Sequence, residues 1–198
     1  RGHRQTGPGA DAARDRHHDH VVAPVVAQAH RTITDGVDLL KTYTDVSVSA
    51  YGALAAEASR HGLLVAGHLP VRVPLGMAMA AGQHSVEHPR IFLFECYRGA
   101  AGFRALPDPM AAYTADMRLR FIDEHDPVRC AERMTAMAAS DTWWTPTLQV
   151  LRMSALAGNR QFREDPRRRY IPYILWAGLW QPDADRAAAH ARHASGRD

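Results

Sequence analysis

The sequence predicts an α/β fold in which parallel strands are joined by crossover helices, and three observations carry that prediction. Apolar runs of strand length alternate with stretches of helical spacing. Each run is followed by a helix-length segment rather than a tight turn. The runs are continuously apolar, as strands covered on both faces are, and do not alternate with polar residues. With 198 residues and 46% hydrophobic content, the chain can bury one core of ordinary size, so a single domain is expected.

The elements follow in order. Residues 1 to 20 are polar, rich in Gly and His and aperiodic, which reads as irregular chain. Val22, Val25, Val26, Ala29 and Ile33 recur near helical spacing between His20 and Asp35. After the breaker Gly36, the run Val37 to Tyr43 reads as a first strand ending around Lys41. Ser47 and Ser49 offer N-caps for a helix striped by Ala50, Leu54, Ala55 and Ala58, which stops at His61-Gly62. A second strand runs from Leu63 to His68, Pro74 opens a short helix closed by Gly82, and a third strand spans Ser85 to His88. Beyond it come a helix near Met110 to Glu124 and another that starts at Asp126-Pro127, a cap and first-turn pair, and runs to about Ala139. Trp143 to Leu148 reads as a fourth strand, with Pro146 marking its end. The βα units thus occupy 21–150. Residues 151–198 form a helical C-terminal segment, interrupted by Pro166 and Pro172, and a polar tail after Pro182.

Composition narrows the function classes. The formal charge is only +3, no basic run is longer than Arg167-Arg168-Arg169, and no basic stripe interleaved with aromatics appears, so nucleic acid is not an expected partner. No apolar stretch approaches the ~18 residues of a membrane span. Cys96 and Cys130, distant and without CxxC spacing, define neither a disulfide framework nor a thiolate metal site. The chain starts at Arg1 rather than Met, so an export signal would lie upstream, and a cytoplasmic location is only weakly favoured.

Lys41 is the single lysine among 24 basic side chains, the rest being arginine. A buried ε-amine can lose its proton and be covalently modified, whereas a guanidinium stays charged. Coding bias toward Arg is the alternative source of this pattern. The strand ends bearing Lys41, His68 and His88 are 27 and 20 residues apart, close to one βα unit each, so all three should emerge on one sheet edge. Alternation puts Lys41 and Tyr43 on one face, and it puts Glu87 on the face opposite His88, packing between strand and helix, with support of a neighbouring ligand from behind as the alternative. Trp144 and Thr147 are expected to line the same pocket. Met77, Met79, Met134 and Met137 read as core filler. His61 reads as a partner of its helix dipole, and His30 and His125 have no partner at ligand spacing.

The segments Gly36 to Tyr43, Arg60 to Pro70 and Ala81 to His88 resemble, in matching order and spacing, the amidohydrolase superfamily of metal-dependent hydrolases. The likeness is greatest to the branch of imidazolonepropionase-related enzymes and metal-dependent prolidases, and Trp143 to Leu148 is similar to its seventh-strand segment. The resemblance implies an incomplete (β/α)8 TIM barrel, the fourth to seventh strands of a longer parent protein. It implies metal ligation by Lys41, His68 and His88, with one or two zinc ions and Lys41 carboxylated by CO2 as a bridging carbamate. The implied activity is hydrolysis of an amide or other C–N bond by a metal-activated hydroxide, acting on a small-molecule or dipeptide substrate contacted by Tyr43, Trp144 and Thr147. The parent is expected to be an oligomer.

The sequence also departs from the family. Its first-strand HxH pair and eighth-strand Asp are missing: His18-Asp19-His20 sits in a charged context only 21 residues before Lys41, and Asp183 and Asp185 read as solvated tail. A full barrel needs ~250 residues. The isolated chain is therefore expected to be inactive, and a non-catalytic truncated remnant with weak or no metal binding is the alternative.

Overall fold

Residues 22–195 are described in the computed structural model of the chain. The irregular segment expected over 1–20, with His18-Asp19-His20, lies outside the described residues, as does the end of the expected tail, 196–198.

Helix α1 spans 22–34 and sets Ala29 and Ile33 against Leu40, Ala58 and Val65. The chain turns at Gly36, in the left-handed region at φ 83°, and enters β1, Leu39–Thr42. Helix α2, Val48–Arg60, begins where the Ser47 hydroxyl accepts from the Ala50 N–H at 3.2 Å. Strand β2, Leu64–Gly67, follows, then α3, Leu75–Ala80, and β3, Ser85–Glu87. Pro74 gives α3 no side-chain cap, and the Leu75 N–H donates instead to Glu95 Oε1 at 3.0 Å. Helices α4 (Arg90–Glu95), α5 (Ala100–Arg104), α6 (Ala115–Asp123) and α7 (Pro127–Ala138) lead to β4, Trp143–Thr145. Asp126 caps α7 by accepting from Val128 and Arg129 N–H groups.

The C-terminal third is helical. It comprises α8 (Leu148–Leu156), α9 (Arg160–Arg163), a 3-10 turn (Pro166–Tyr170), α10 (Tyr173–Leu175), a π-helical segment (Trp176–Trp180) and α11 (Gln181–Ser195). The polar tail expected after Pro182 is therefore a helix through Ser195. Ala188 buries its methyl beside Gly158, the Asp183 carboxylate accepts from Arg186, and that of Asp185 accepts from Arg163.

The expected incomplete barrel is not what the chain forms. The described residues are mostly helical and contain four strands of 4, 4, 3 and 3 residues, in two separate two-stranded sheets, β1-β2 and β3-β4. Each pair is parallel, Leu40 opposite Val65 and Val86 opposite Trp144, and only single bridges, Val65 to Gln83 and His68 to Glu87, join the two. The apolar runs overstate strand length because their ends, Tyr43, His68, His88 and the stretch after Thr145, keep at most a single bridge or hydrogen bond to the ladder. Nor are the strands covered on both faces. Leu40 and Thr42 are buried, while Leu39, Leu64 and Trp143 on the other face are 45%, 48% and 68% exposed. Sheet closure takes about eight strands, and after Thr145 the chain turns helical.

Three clusters make the core. Tyr51, Val73, Leu75, Ala78, Val86 and Met137 pack beneath the strands, with Met77, Met79 and Met134 at their margin as expected of filler. Phe94, Tyr97, Phe103 and Phe121 form an aromatic cluster, Phe103 edge-to-face on Phe121 at 5.0 Å. The third is the α1 contact already described. A buried polar network ties these layers: Tyr51 Oη donates to Gln83 Oε1 at 2.8 Å, Gln83 Nε2 donates to the Ser85 carbonyl at 3.0 Å, and Thr142 Oγ1 donates to the Gln83 carbonyl at 2.8 Å. Burial pushes the Tyr51 phenol up to about 12.

Contrary to the reading of two unrelated cysteines, Cys96 and Cys130 form a disulfide that joins the end of α4 to the first turn of α7. The pairing arises because Cys96 is fully buried beside the aromatic cluster while Asp126, by capping α7 and donating its N–H to the Cys96 carbonyl at 2.8 Å, brings Cys130 up to it. The bond closes a loop across a separation of 34 residues. Replacing both cysteines by alanine should lower the unfolding free energy by about 3–4 kcal/mol, read from urea denaturation followed by circular dichroism. An unchanged midpoint would show that the bond constrains nothing.

Candidate metal centre

The parallel ladders deliver four polar side chains to one edge. Thr42 pairs with Gly67, His68 bridges to Glu87, and Glu87 pairs with Thr145, so Lys41, His68, Glu87 and His88 emerge together where the strands end. Gly67 makes the close approach of β1 and β2 there. It sits at φ 111°, and a Cβ on it would lie 2.5 Å from the Thr42 carbonyl oxygen and 2.8 Å from Lys41 Cγ.

The two imidazoles face each other, Nε2 to Nε2, at 3.0 Å. Their other ring nitrogens are each held by a threonine: His68 Nδ1 lies 2.8 Å from Thr44 Oγ1, and His88 Nδ1 lies 2.9 Å from Thr147 Oγ1. With each Nδ1–H donating to its hydroxyl, both Nε2 lone pairs point into the shared space, which is how a ligating histidine is oriented by its outer partner. Arg90 donates to Thr44 Oγ1 at 3.2 Å, and Trp144 Nε1 donates to the His88 carbonyl at 2.9 Å. Tyr43 stacks at a tilt on His68, centroids 4.4 Å apart, with most of its ring in solvent.

Glu87 belongs to this cluster, contrary to the alternation that places it on the far face. Its Oε2 lies 2.8 Å from Lys41 Nζ and 3.8 Å from His88 Nε2. Alternation fails because His88 adopts φ 72°, turning its side chain back toward the side that Glu87 occupies. Thr147, its hydrogen-bond partner, is also left-handed at φ 46°. Two non-glycine residues in that sparsely populated region, one of them β-branched, and bonded to each other across the site, concentrate backbone strain where the polar groups converge. No signal in the sequence marks either position.

The electrostatics favour neutral imidazoles and an ionised carboxylate in this cluster. Burial holds the His68 imidazole down at about 4, with His88 and Arg90 adding to the effect and Glu87 opposing it. His88 is lowered as well, again chiefly by burial, against the pull of Glu87. The hydrogen bond from Lys41 holds the Glu87 carboxyl below the usual carboxylate range. Neutral imidazoles and an ionised carboxylate are the forms that bind a divalent cation.

His68, Glu87 and His88 thus form a group whose donor atoms all lie within 4.8 Å of one another and that can hold a metal ion. Two further groups have similar spacing. His30, Glu57 and His61 meet at the α1–α2 contact, so His30 does have a partner, and the His61 ring bonds Glu57 Oε1 at 3.2 Å rather than standing free at its helix end. Arg60 also donates to Glu57 and competes for that carboxylate. His125 joins Cys96 and Cys130, whose sulfurs are committed to each other. All the sequence-predicted residues reach the first cluster: Lys41, His68 and His88 directly, Tyr43 through its ring, Thr147 as the His88 orienter and Trp144 through the His88 backbone.

Comparison with family models, with characterised proteins and with solved structures gives no match to this chain. No helix among the described residues is long and apolar enough to cross a membrane.

The pH dependence of the metal-free protein follows from His68. Its ordinary value of 6.5 applies to the unfolded chain and about 4 to the folded one, so below 6.5 the unfolded state takes up the proton first. Stability contributed by neutral His68 is full above pH 6.5 and is lost as the pH falls toward 4. Thermal melts in chelator should show the melting temperature dropping across this window and a shallower drop for His68→Gln. Equal slopes would mean that His68 titrates normally in the fold.

Proposed function

We propose that the chain carries the metal site of a hydrolase acting on C–N bonds of the amide type, with His68, His88 and Glu87 as metal ligands and Lys41 as a fourth, carboxylated ligand. One observation carries the reading: two imidazole Nε2 atoms facing each other at 3.0 Å, each ring fixed from behind by a threonine, with an ionised carboxylate alongside. A donor set of two imidazoles and two carboxylate-type oxygens suits zinc, whose coordination can expand to five so that water or substrate joins the four protein ligands. The amide class rests on the motif resemblance around Lys41, His68 and His88.

Bound there, the metal would lower the pKa of a water and polarise a scissile carbonyl. The protein groups have separable tasks. Thr44 and Thr147 fix ring orientation, Arg90 holds Thr44 in place, and Trp144 anchors the backbone that presents His88. Glu87, kept ionised by Lys41, supplies negative charge to the cation. Tyr43, exposed beside His68, is placed to contact a small-molecule or dipeptide substrate arriving from solvent. The Lys41 side chain is 55% exposed, open to CO2, and its Nζ touches Glu87 at the edge of the cluster. Carboxylation there would need the ammonium to lose a proton, after which the amine adds CO2 and releases a second proton to solvent, converting the counter-ion of Glu87 into a second anionic ligand.

The test is zinc content and hydrolysis of a panel of dipeptides and cyclic amides, with and without bicarbonate. Zinc should co-purify with the wild type, fall to background in His88→Ala, and bind about tenfold or more weakly in Thr147→Val, where only the orienting hydroxyl is lost. Lys41→Arg keeps a cation beside Glu87 but cannot be carboxylated, so the bicarbonate response should vanish. Undiminished zinc in Lys41→Arg would exclude the carbamate, and undiminished zinc in His88→Ala would exclude the site.

A further inference from the structure

Away from the strand ends, the chain builds a strongly cationic cavity of about 450 Å³ lined by Arg72, Glu95, Arg104, Arg129 and Arg133 together with small residues of the α3 and α5 ends. None of these side chains belongs to the candidate metal centre. Four guanidinium groups therefore share one carboxylate, and that carboxylate is already engaged: Glu95 is buried, accepts from the Leu75 N–H at 3.0 Å and pairs with Arg104. The Arg104 side chain is only 9% exposed. Burial pulls its guanidinium below the ordinary range, with Arg129 and Arg133 adding to the effect and Glu95 opposing it.

The remaining arginines have no carboxylate partner among the described residues. Arg129 spends its Nε–H on the Glu95 carbonyl at 2.7 Å, and Arg72 caps the carbonyls of Arg104, Leu106 and Pro107. These bonds lock the cationic groups in place without neutralising them. The Nε atoms of Arg104 and Arg133 are buried with no hydrogen-bond partner. Native proteins seldom leave buried donors and like charges so poorly compensated without a ligand that meets them. The cavity is held rigid by the neighbouring Cys96–Cys130 bond, since Glu95 precedes Cys96 and Arg129 precedes Cys130.

We propose that this cavity binds a phosphate monoester, its dianionic phosphoryl oxygens taken by the guanidinium groups of Arg104, Arg129 and Arg133. Planar guanidiniums match a tetrahedral oxyanion with paired donors, and a dianion offsets a surplus that a single carboxylate cannot. The volume suits a small molecule rather than a polymer.

The test titrates the full chain with inorganic phosphate and with glycerol 3-phosphate, by isothermal calorimetry at low ionic strength. Each should bind saturably at one site, and Arg133→Gln, a partly exposed position that circular dichroism can verify as folded, should weaken both by about tenfold. Arg98→Gln, an exposed arginine outside the cavity, should leave binding unchanged. Tighter binding of glycerol 3-phosphate than of phosphate identifies an ester as the ligand, and the reverse order overturns the ester assignment. Absence of saturable binding, or equal weakening by Arg133→Gln and Arg98→Gln, overturns the site itself.

Discussion

The parallel register of the four strands is the constraint on which the rest of the molecule depends. Setting Thr42 beside Gly67, His68 beside Glu87 and Glu87 beside Thr145 fixes where each strand stops, and the chemistry-bearing residues lie at those stops or just past them. Without that alignment Lys41, His68 and His88 would lie at different heights along the sheet. The helices serve the alignment: α2 and α3 return the chain to the same starting level, and the network of Tyr51, Gln83 and Thr142 bonds the start of β3 to its neighbours. Hydrogen bonding inside a low-dielectric core makes such a network costly to break and therefore an effective gauge of register.

What the sequence made legible was local, and what it concealed depended on tertiary approach. Ser47, Asp126-Pro127 and Gly62 mark element ends by chemistry that acts within a few residues, and the structure has helix boundaries at those places. The meeting of Lys41, His68 and His88 was readable because spacings close to one βα unit each bring strand ends to a common edge. Glu87 was not, since the two-residue period holds only while the backbone stays extended, and His88 leaves it. The disulfide was hidden for a related reason: nothing in the spacing of Cys96 and Cys130 says that α7 begins beside the end of α4.

The barrel expectation failed through length. A run of apolar residues carries no mark for where backbone pairing gives way to a loop, so expected runs of four to seven residues shrank to strands of three or four. The helical tail shows the opposite error. The stretch after Pro182 reads as tail because its polar residues dominate, yet Ala188 is buried beside Gly158 and Asp185 pairs with Arg163, seating the helix. Neither outcome touches the candidate metal cluster, because that cluster depends on strand ends and not on closure of a sheet.

Gly67 bears on which positions shape the candidate centre. It contributes no donor, no charge and no contact to a cation, yet the separation of two strands rests on its lack of a side chain. A search for the residues that shape the candidate centre, if confined to groups with reactive atoms, would pass over the position that sets the spacing of Lys41 and His68. In this chain the aperture of the centre is written in a hydrogen atom.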